Sequence, residues 1–230
     1  MTLTPEESTA LLLSLRVAGI ATLASIPFGL LAAWLLARRD FPGKALLDAL
    51  IHLPLILPPV VTGYLLLLLF GRKGPLGAWL AEHLGIVFAF RWTGAALACA
   101  VMGFPLMVQA FRLALLAVDR KLEQAASTLG ASPVMVFITV TLPLMLPGLL
   151  AGIVLSYARA VGEFGATITF VSNIPGETQT LPVAIHVFLQ QPGGDTPAVR
   201  LVVISIVLAF SALIASEILS RRATRLVNGQ

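Results

Sequence analysis

The chain has 230 residues, of which 58% are hydrophobic and only 11% charged, against roughly 25% charged residues in soluble domains. A mean hydropathy of +0.95 and apolar runs of twenty or more residues exclude an ordinary soluble enzyme and predict an integral membrane protein. The formal charge of +4 comes from basic residues scattered at segment ends, not gathered in a stripe with aromatics, which speaks for membrane topology and against a nucleic-acid partner. The single cysteine, Cys99, lies in an apolar run, which rules out an internal disulfide and makes it a small buried residue.

Residues 1–9 are polar and carry Glu6 and Glu7, unlike the basic start of a signal peptide, so the first apolar run is expected to be retained. It covers about 10–37, interrupted by Arg16 and Pro27, and is long enough to cross ~30 Å of hydrocarbon with tilt. Arg38, Arg39 and Lys44 follow, the mark of a short cytoplasmic loop. A second span is expected over 49–70. Its segment Leu53–Val61, LPLILPPVV, holds Pro54, Pro58 and Pro59, which cannot all sit in one regular helix. A helix broken at membrane depth must be buried in protein or line a cavity, because lipid satisfies no freed carbonyl. These prolines are therefore pathway candidates, with a packed kink as the plainer reading. Residues 71–92, glycine-rich and carrying Trp79 and Trp92, read as an outer loop with a surface helix. A sixth span hidden in 76–92 is opposed by Glu82, His83 and Arg91.

The third span is expected over 93–116, the fourth over 147–171 and the fifth over 199–219, the last closed by Arg221, Arg222 and Arg225. An N-terminus outside and a C-terminus in the cytoplasm put those arginines inside with Arg38, Arg39, Lys44, Arg112, Arg120 and Lys121. Arg72, Lys73, Arg91 and Arg200 stay toward the outer face. The predicted fold class is an all-α integral membrane protein of about five transmembrane helices, six being the alternative, in a single domain over 1–230 with a helical cytoplasmic loop at 117–146.

That loop is the most patterned stretch. Leu122, Ala125, Ala126 and Leu129 fall at i, i+3, i+4 and i+7, one helical face with small residues at its centre. Asp119 is the expected N-cap and Gly130 the left-handed stop. Ser132 then caps a second helix with Pro133 at its first position, and Pro143 and Pro147 punctuate the return to apolar sequence. The stretch reads as a helical hairpin outside the membrane, either a docking element or an amphipathic connector packed on its own protein.

Catalytic signatures are missing. Gly43-Lys44 has Arg38 where GxxxxGK needs glycine, so the chain is expected not to be an ATPase. His52, His83 and His186 are isolated, without metal-ligand spacing, and neither a Gly-x-Ser-x-Gly elbow nor a metal site is expected. Charge inside the fourth span is informative instead. Arg159 and Glu163 stand at i, i+4 and must pair or meet water at such depth. They read either as an ion pair locking helices or as a cation, held by its carboxylate, that meets an anion in a pore. Ser156, Tyr157, Thr167 and Thr169 offer neutral hydrogen-bonding groups along the same segment, better suited to letting an anion slide through. Gly148 and Gly152, spaced as GxxxG, with Gly162 and Gly165, allow close packing, either internal or between subunits. The loop at 172–180, with Asn173, Pro175, Gly176, Thr178 and Thr180, is turn-forming and hydroxyl-rich. Gln190–Gly194 reads as a flexible connector or a docking turn.

Gln124-Ala125-Ala126, three residues, Gly130, and then Leu142-Pro143 together resemble the EAA motif of ABC-importer permeases, the loop that seats in a groove of a separate ATPase. Gln124 stands where that motif usually has Glu, with Glu123 one position earlier. The segments RAVGEFGAT (Arg159–Thr167), VSNIPGETQT (Val171–Thr180) and FLQQPGG (Phe188–Gly194) look like the oxyanion branch, most like molybdate importer permeases, and the resemblance runs from Phe41 to the end. It implies a type I ABC importer permease-like fold and a homodimer in the bacterial inner membrane. It also implies two ATP-binding cassette subunits that bind ATP and Mg, with no cofactor in this chain, and a periplasmic molybdate-binding protein. By the same resemblance Leu122, Glu123, Gln124, Ala125, Ala126, Leu129, Gly130, Ala131 and Ser132 would meet the ATPase, and Asn173, Pro175, Gly176, Thr178 and Thr180 would face the binding protein. The alternatives are a sulfate/thiosulfate or tungstate permease, or, in another class, an ion-gradient-driven transporter or channel with Glu163 as a proton site. A membrane-embedded enzyme is disfavoured, because no nucleophile or metal constellation can be assembled.

Overall fold

Thr4 and Glu7 open the first helix, α1 (Pro5–Arg38), with a reciprocal cap in which each side chain accepts the other's backbone N–H. The computed structural model describes residues 3–228, except the side chains at 216, 219, 220 and 222–228; the predicted cytoplasmic Arg222 and Arg225 lie outside the described side chains. Every regular element among the described residues is helical, without strands. After α1 come α2 (Lys44–Ile56), α3 (Pro59–Phe70), the short α4 (Pro75–Leu84), α5 (Trp92–Ala117) and α6 (Arg120–Thr128). The four-residue α7 (Pro133–Val136) runs through a π turn, Phe137–Thr141, into α8 (Leu142–Val161); α9 (Gly165–Val171), α10 (Leu181–Leu189) and α11 (Asp195–Asn228) complete the chain.

Helix directions follow from contacts at both ends of α1. The Arg16 guanidinium lies 4.0 Å from the Trp92 ring centre, at the start of α5, and Arg38 Nη2 lies 3.5 Å from the Leu115 carbonyl, at its end. The two helices are therefore parallel. The chain between them must cross the membrane once, so the α2–α3 pair, although bent by 117° at Leu57–Pro58, is one broken crossing and not a loop that dips in and returns. Each leg alone, at about 1.5 Å per residue, falls short of ~30 Å of hydrocarbon. α8 runs back along α5, with Gly148 against Ala114, Gly152 against Ala110 and Phe111, and Gly103 against Ser156. The GxxxG spacing thus serves an internal contact, where missing Cβ atoms let the backbones approach. α11 starts beside the start of α1 through Arg200 and the wholly buried Glu7. The crossings are α1, α2–α3, α5, Pro133–Val161 and α11.

Two boundaries depart from the sequence reading. The fourth span, expected at 147–171, is a continuous helix over Pro133–Val161, so the loop's second helix is the lower part of a span and not a free hairpin arm. Pro143 and Pro147 do not stop it. The π turn shifts the hydrogen-bond ladder, with the Leu142 amide donating to Phe137 O, just where Pro143 lacks an amide, and Pro147 is carried inside α8. The helix ends instead at Gly162.

Packing falls into three clusters. One joins the first half of α1, the first half of α5 and α9 through small residues such as Ala18, Ala98 and Cys99 around Phe170. A second joins Ala33, Met107, Phe111, Leu115, Met145 and Leu149 near α6. A third sets Ala10 against Leu181, Ala184 and Leu201. The outward faces of α1 and α11 carry exposed Leu12, Leu23, Phe28, Val203, Val207 and Phe210, as expected where lipid or another membrane chain is the neighbour.

Candidate functional site

α6 is built by local signals and buries none of its residues. Asp119 Oδ1 accepts the Lys121 amide at 2.9 Å, and Gly130 ends the segment at φ +89°, with open space where a Cβ would stand. Only backbone conformation demands glycine there. Ser132 Oγ then accepts the Met135 amide at 3.4 Å, with Pro133 at the first helical position. The face identified from spacing is open: Leu122 and Leu129 are 49% and 89% exposed, Gln124 and Ala125 are exposed, and Ala126 and Ala131 are half-buried. Val134, Met135 and Ile138 add exposed apolar side chains beyond Gly130.

Glu123 behaves differently from its neighbours. Its Oε1 accepts Arg38 Nη2 at 2.8 Å and Thr141 Oγ1 at 2.7 Å, which ties α6 to the end of α1 and to the π turn. Sequence reasoning could not find this contact, because the partners stand 85 and 18 residues away and no helical spacing links them. Cavities of about 470 and 350 Å³ flank the contact, the first lined by Arg120, Gln124 and Ser127, the second by Trp34, Arg39 and Phe137.

The broken crossing forms a second candidate region. Pro54 sits in the last turn of α2, Pro58 caps α3 and Pro59 begins it. Pro54 also lines an apolar cavity of about 560 Å³ with Ser25, Phe28, Leu97 and Phe104. α3 lies on α9 at backbone distance: a Cβ on Gly63 would stand 2.5 Å from Ala166 O, and one on Gly165 would stand 2.8 Å from Pro59 Cβ. α2 is held to α5 by Asp48 and Arg112 at 3.3 Å, with His52 Nδ1 also 3.3 Å from Asp48.

Arg159 and Glu163 do meet. Arg159 Nη1 lies 2.6 Å from Glu163 Oε2, a charge contact outside hydrogen-bond alignment, since that oxygen has no hydrogen-bond partner. Glu163 lies past the end of α8 and not on its face. Its other oxygen accepts the Ala166 amide at 2.8 Å and so caps α9. Its side chain is 1% exposed, that of Arg159 28%. Ser156 and Thr167 are buried in helix packing, and the Thr167 and Thr169 hydroxyls donate to Phe164 O and Gly165 O at 2.8 Å. In the loop that follows, Thr178 is fully buried. Its hydroxyl donates to Ser172 O and accepts the Ile174 amide, both at 2.9 Å, holding Ser172 at φ +62°. Thr180 Oγ1 and Asn173 Oδ1 are buried without partners, while Pro175 and Gly176 are exposed.

A family profile described as binding-protein-dependent transport system inner membrane component matches residues 25–225. The chain belongs to this family. As a transport component it is 61% identical over 221 residues to the molybdenum transport system permease protein ModB of Escherichia coli strain K12, covering 96% of each. It is 38% identical over 209 residues to the sulfate transport system permease protein CysW of the same organism, covering 90% of this chain and 72% of that one. Among solved structures, the methionine ABC transporter MetNI in inward-facing conformations matches with a TM-score of 0.71 at 17% identity, covering 94% of this transport component and 95% of that chain. The fold is the all-α fold of type I ABC importer permeases.

Proposed function

We propose that this chain is the transmembrane subunit of an ATP-driven importer that moves molybdate across the bacterial plasma membrane by alternating access. The carrying observation is 61% identity to a molybdenum permease over 96% of both chains. The open, capped α6 supports a docking role, because an apolar face left in water gains from a protein partner. In this reading two copies form the pore, two separate ATPase subunits bind ATP and Mg and dock at α6, and a periplasmic molybdate-binding protein delivers the anion near Pro175 and Gly176. The N-terminus is then outside and the C-terminus cytoplasmic, which sets Arg38 at the end of α1 and Arg120 at the start of α6 on the inner side. The membrane component contributes coupling: ATP closure moves α6, and rigid helices pass that motion to the broken crossing.

The test is uptake of labelled molybdate into vesicles holding the chain, its ATPase and its binding protein, with tungstate and sulfate as competitors and an inactive ATPase as control. ATP-dependent uptake that excess sulfate leaves intact is expected. Inhibition by sulfate would move the chain to the sulfate branch, and uptake with the inactive ATPase would refute an ATP-driven importer.

A further inference from the structure

We infer that Glu123 is the positioning residue that fixes the ATPase-docking helix on the membrane helices, through one carboxylate oxygen shared by Arg38 and Thr141; the inference rests on the docking role of α6. Adjacent residues point about 100° apart on a helix. Gln124, at the usual position of the motif carboxylate, is exposed, so the acid one residue earlier is turned toward this chain's own helices. There Glu123 Oε1 receives Arg38 Nη2 at 2.8 Å and Thr141 Oγ1 at 2.7 Å, and Arg38 Nη2 stands 3.5 Å from the Leu115 carbonyl. The end of α1 and the π turn thus meet α6 at one oxygen, and the end of α5 joins them through Arg38.

No other feature of α6 can do this. None of its residues is buried, so apolar packing holds it weakly. Its remaining side-chain hydrogen bonds stay within the segment: Asp119 to the Lys121 amide, Ser127 to Glu123 O and Thr128 to Ala125 O. The clasp is shielded enough to act, with the Arg38 and Glu123 side chains 12% and 23% exposed and Thr141 3% exposed. A docking element has to move the membrane helices and not merely bind, which requires a stiff link. Arg38 ends the crossing α1 and Thr141 begins the long rise of α8, so a push on α6 reaches two crossings through Glu123.

The experiment uses the full chain in lipid nanodiscs for the distance measurement, and in sealed lipid vesicles with its ATPase and binding protein for uptake. In Glu123→Ala the molybdate moved per ATP hydrolysed is expected to fall about 10-fold, inside the 5–150-fold span of typical coupling. Glu123→Gln, which keeps an acceptor for Thr141, falls about 3-fold, and Thr141→Val about 2-fold, each short of losing the whole network. The exchanged pair Arg38→Glu with Glu123→Arg recovers most of the Glu123→Ala loss. In the chain without ATPase, spin labels on exposed Leu12 and Thr128, in a Cys99→Ala background diluted with unlabelled chain, give one narrow distance distribution that Glu123→Ala broadens. Unchanged uptake per ATP, an unchanged distribution, or an exchange that folds and assembles but recovers nothing overturns the positioning role. If Glu123→Ala fails to assemble, Thr141→Val decides by the same ratio. If wild-type uptake ignores ATP while the distribution still broadens, the importer reading fails and the positioning of α6 stands.

Discussion

Two arginine–glutamate contacts of similar length, Arg38–Glu123 at 2.8 Å and Arg159–Glu163 at 2.6 Å, sit in opposite surroundings. Glu163 is itself 2% exposed, Cys99, Ala166 and Thr167 beside it are at most 1% exposed, and the carboxylate also caps α9. Around Glu123 the helix itself is open, and only the contact is shielded. The same chemistry therefore has different consequences. A buried charge left without its partner is expensive, so the Glu163 contact belongs to folding. An exposed helix with a single clasp can lose that clasp and stay folded, which suits the Glu123 contact to the transmission proposed for it.

This contrast can be broken at either end. Glu163→Ala strands Arg159 and the Ala166 amide, and is expected to cost about 3 kcal/mol or more, read by denaturant unfolding of the purified chain; a loss below about 1 kcal/mol would erase the distinction. Next, Gly63→Val drives a side chain into Ala166 O, with an expected cost of about 1–3 kcal/mol and a parallel loss of uptake. Gly130→Val meets open space, so its cost is confined to a left-handed backbone, about 1–2 kcal/mol; uptake should collapse while global unfolding of the membrane helices hardly shifts, and Gly130→Asn should restore part of the activity. Leu129→Ser, at 89% exposure, should change stability by less than about 0.5 kcal/mol yet weaken capture of the ATPase in a pull-down. Smallest of all is Asp40→Asn. The Lys44 ammonium, hydrogen-bonded to the exposed Asp40, holds that carboxyl below the usual carboxylate range. Its contribution is present at neutral pH and fades as pH falls through the lowered value, so the small difference in melting between the variant and the native chain should be greatest near neutrality and vanish in acid.

Legibility followed the range of the forces involved. Asp119, Gly130, Ser132 and Pro133 act on backbone groups two or three residues away, and spacing alone located the caps of α6 and α7. The break at Pro58-Pro59 was equally readable from proline chemistry, although not its bend of 117°. Pro143 and Pro147 misled because the π turn that absorbs Pro143 leaves no compositional mark, and Pro147 is carried inside α8. Arg159 and Glu163 were paired for their i, i+4 spacing, and they touch, but only because the chain turns at Gly162 and brings Glu163 back. The hydroxyls of Thr178 and Thr180 read as loop surface, yet both residues are buried, since Thr178 organises the turn from within. Arg38–Glu123, Asp48–Arg112 and Glu7–Arg200 join residues 85, 64 and 193 apart, and only the assembled helices bring them together.

The π turn at Phe137–Thr141 also sets a phase. A π turn behaves as one residue inserted into an α-helix, and one residue is about 100° of rotation. Deleting a single residue there would remove the π turn and leave a kink at Pro143, and Val134, Met135 and the whole of α6 would face a different compass point. The membrane part would be intact and its handle turned aside. Length changes in this one turn are therefore steering changes, and a series of one-residue deletions and insertions should show uptake returning only when the rotation comes full circle.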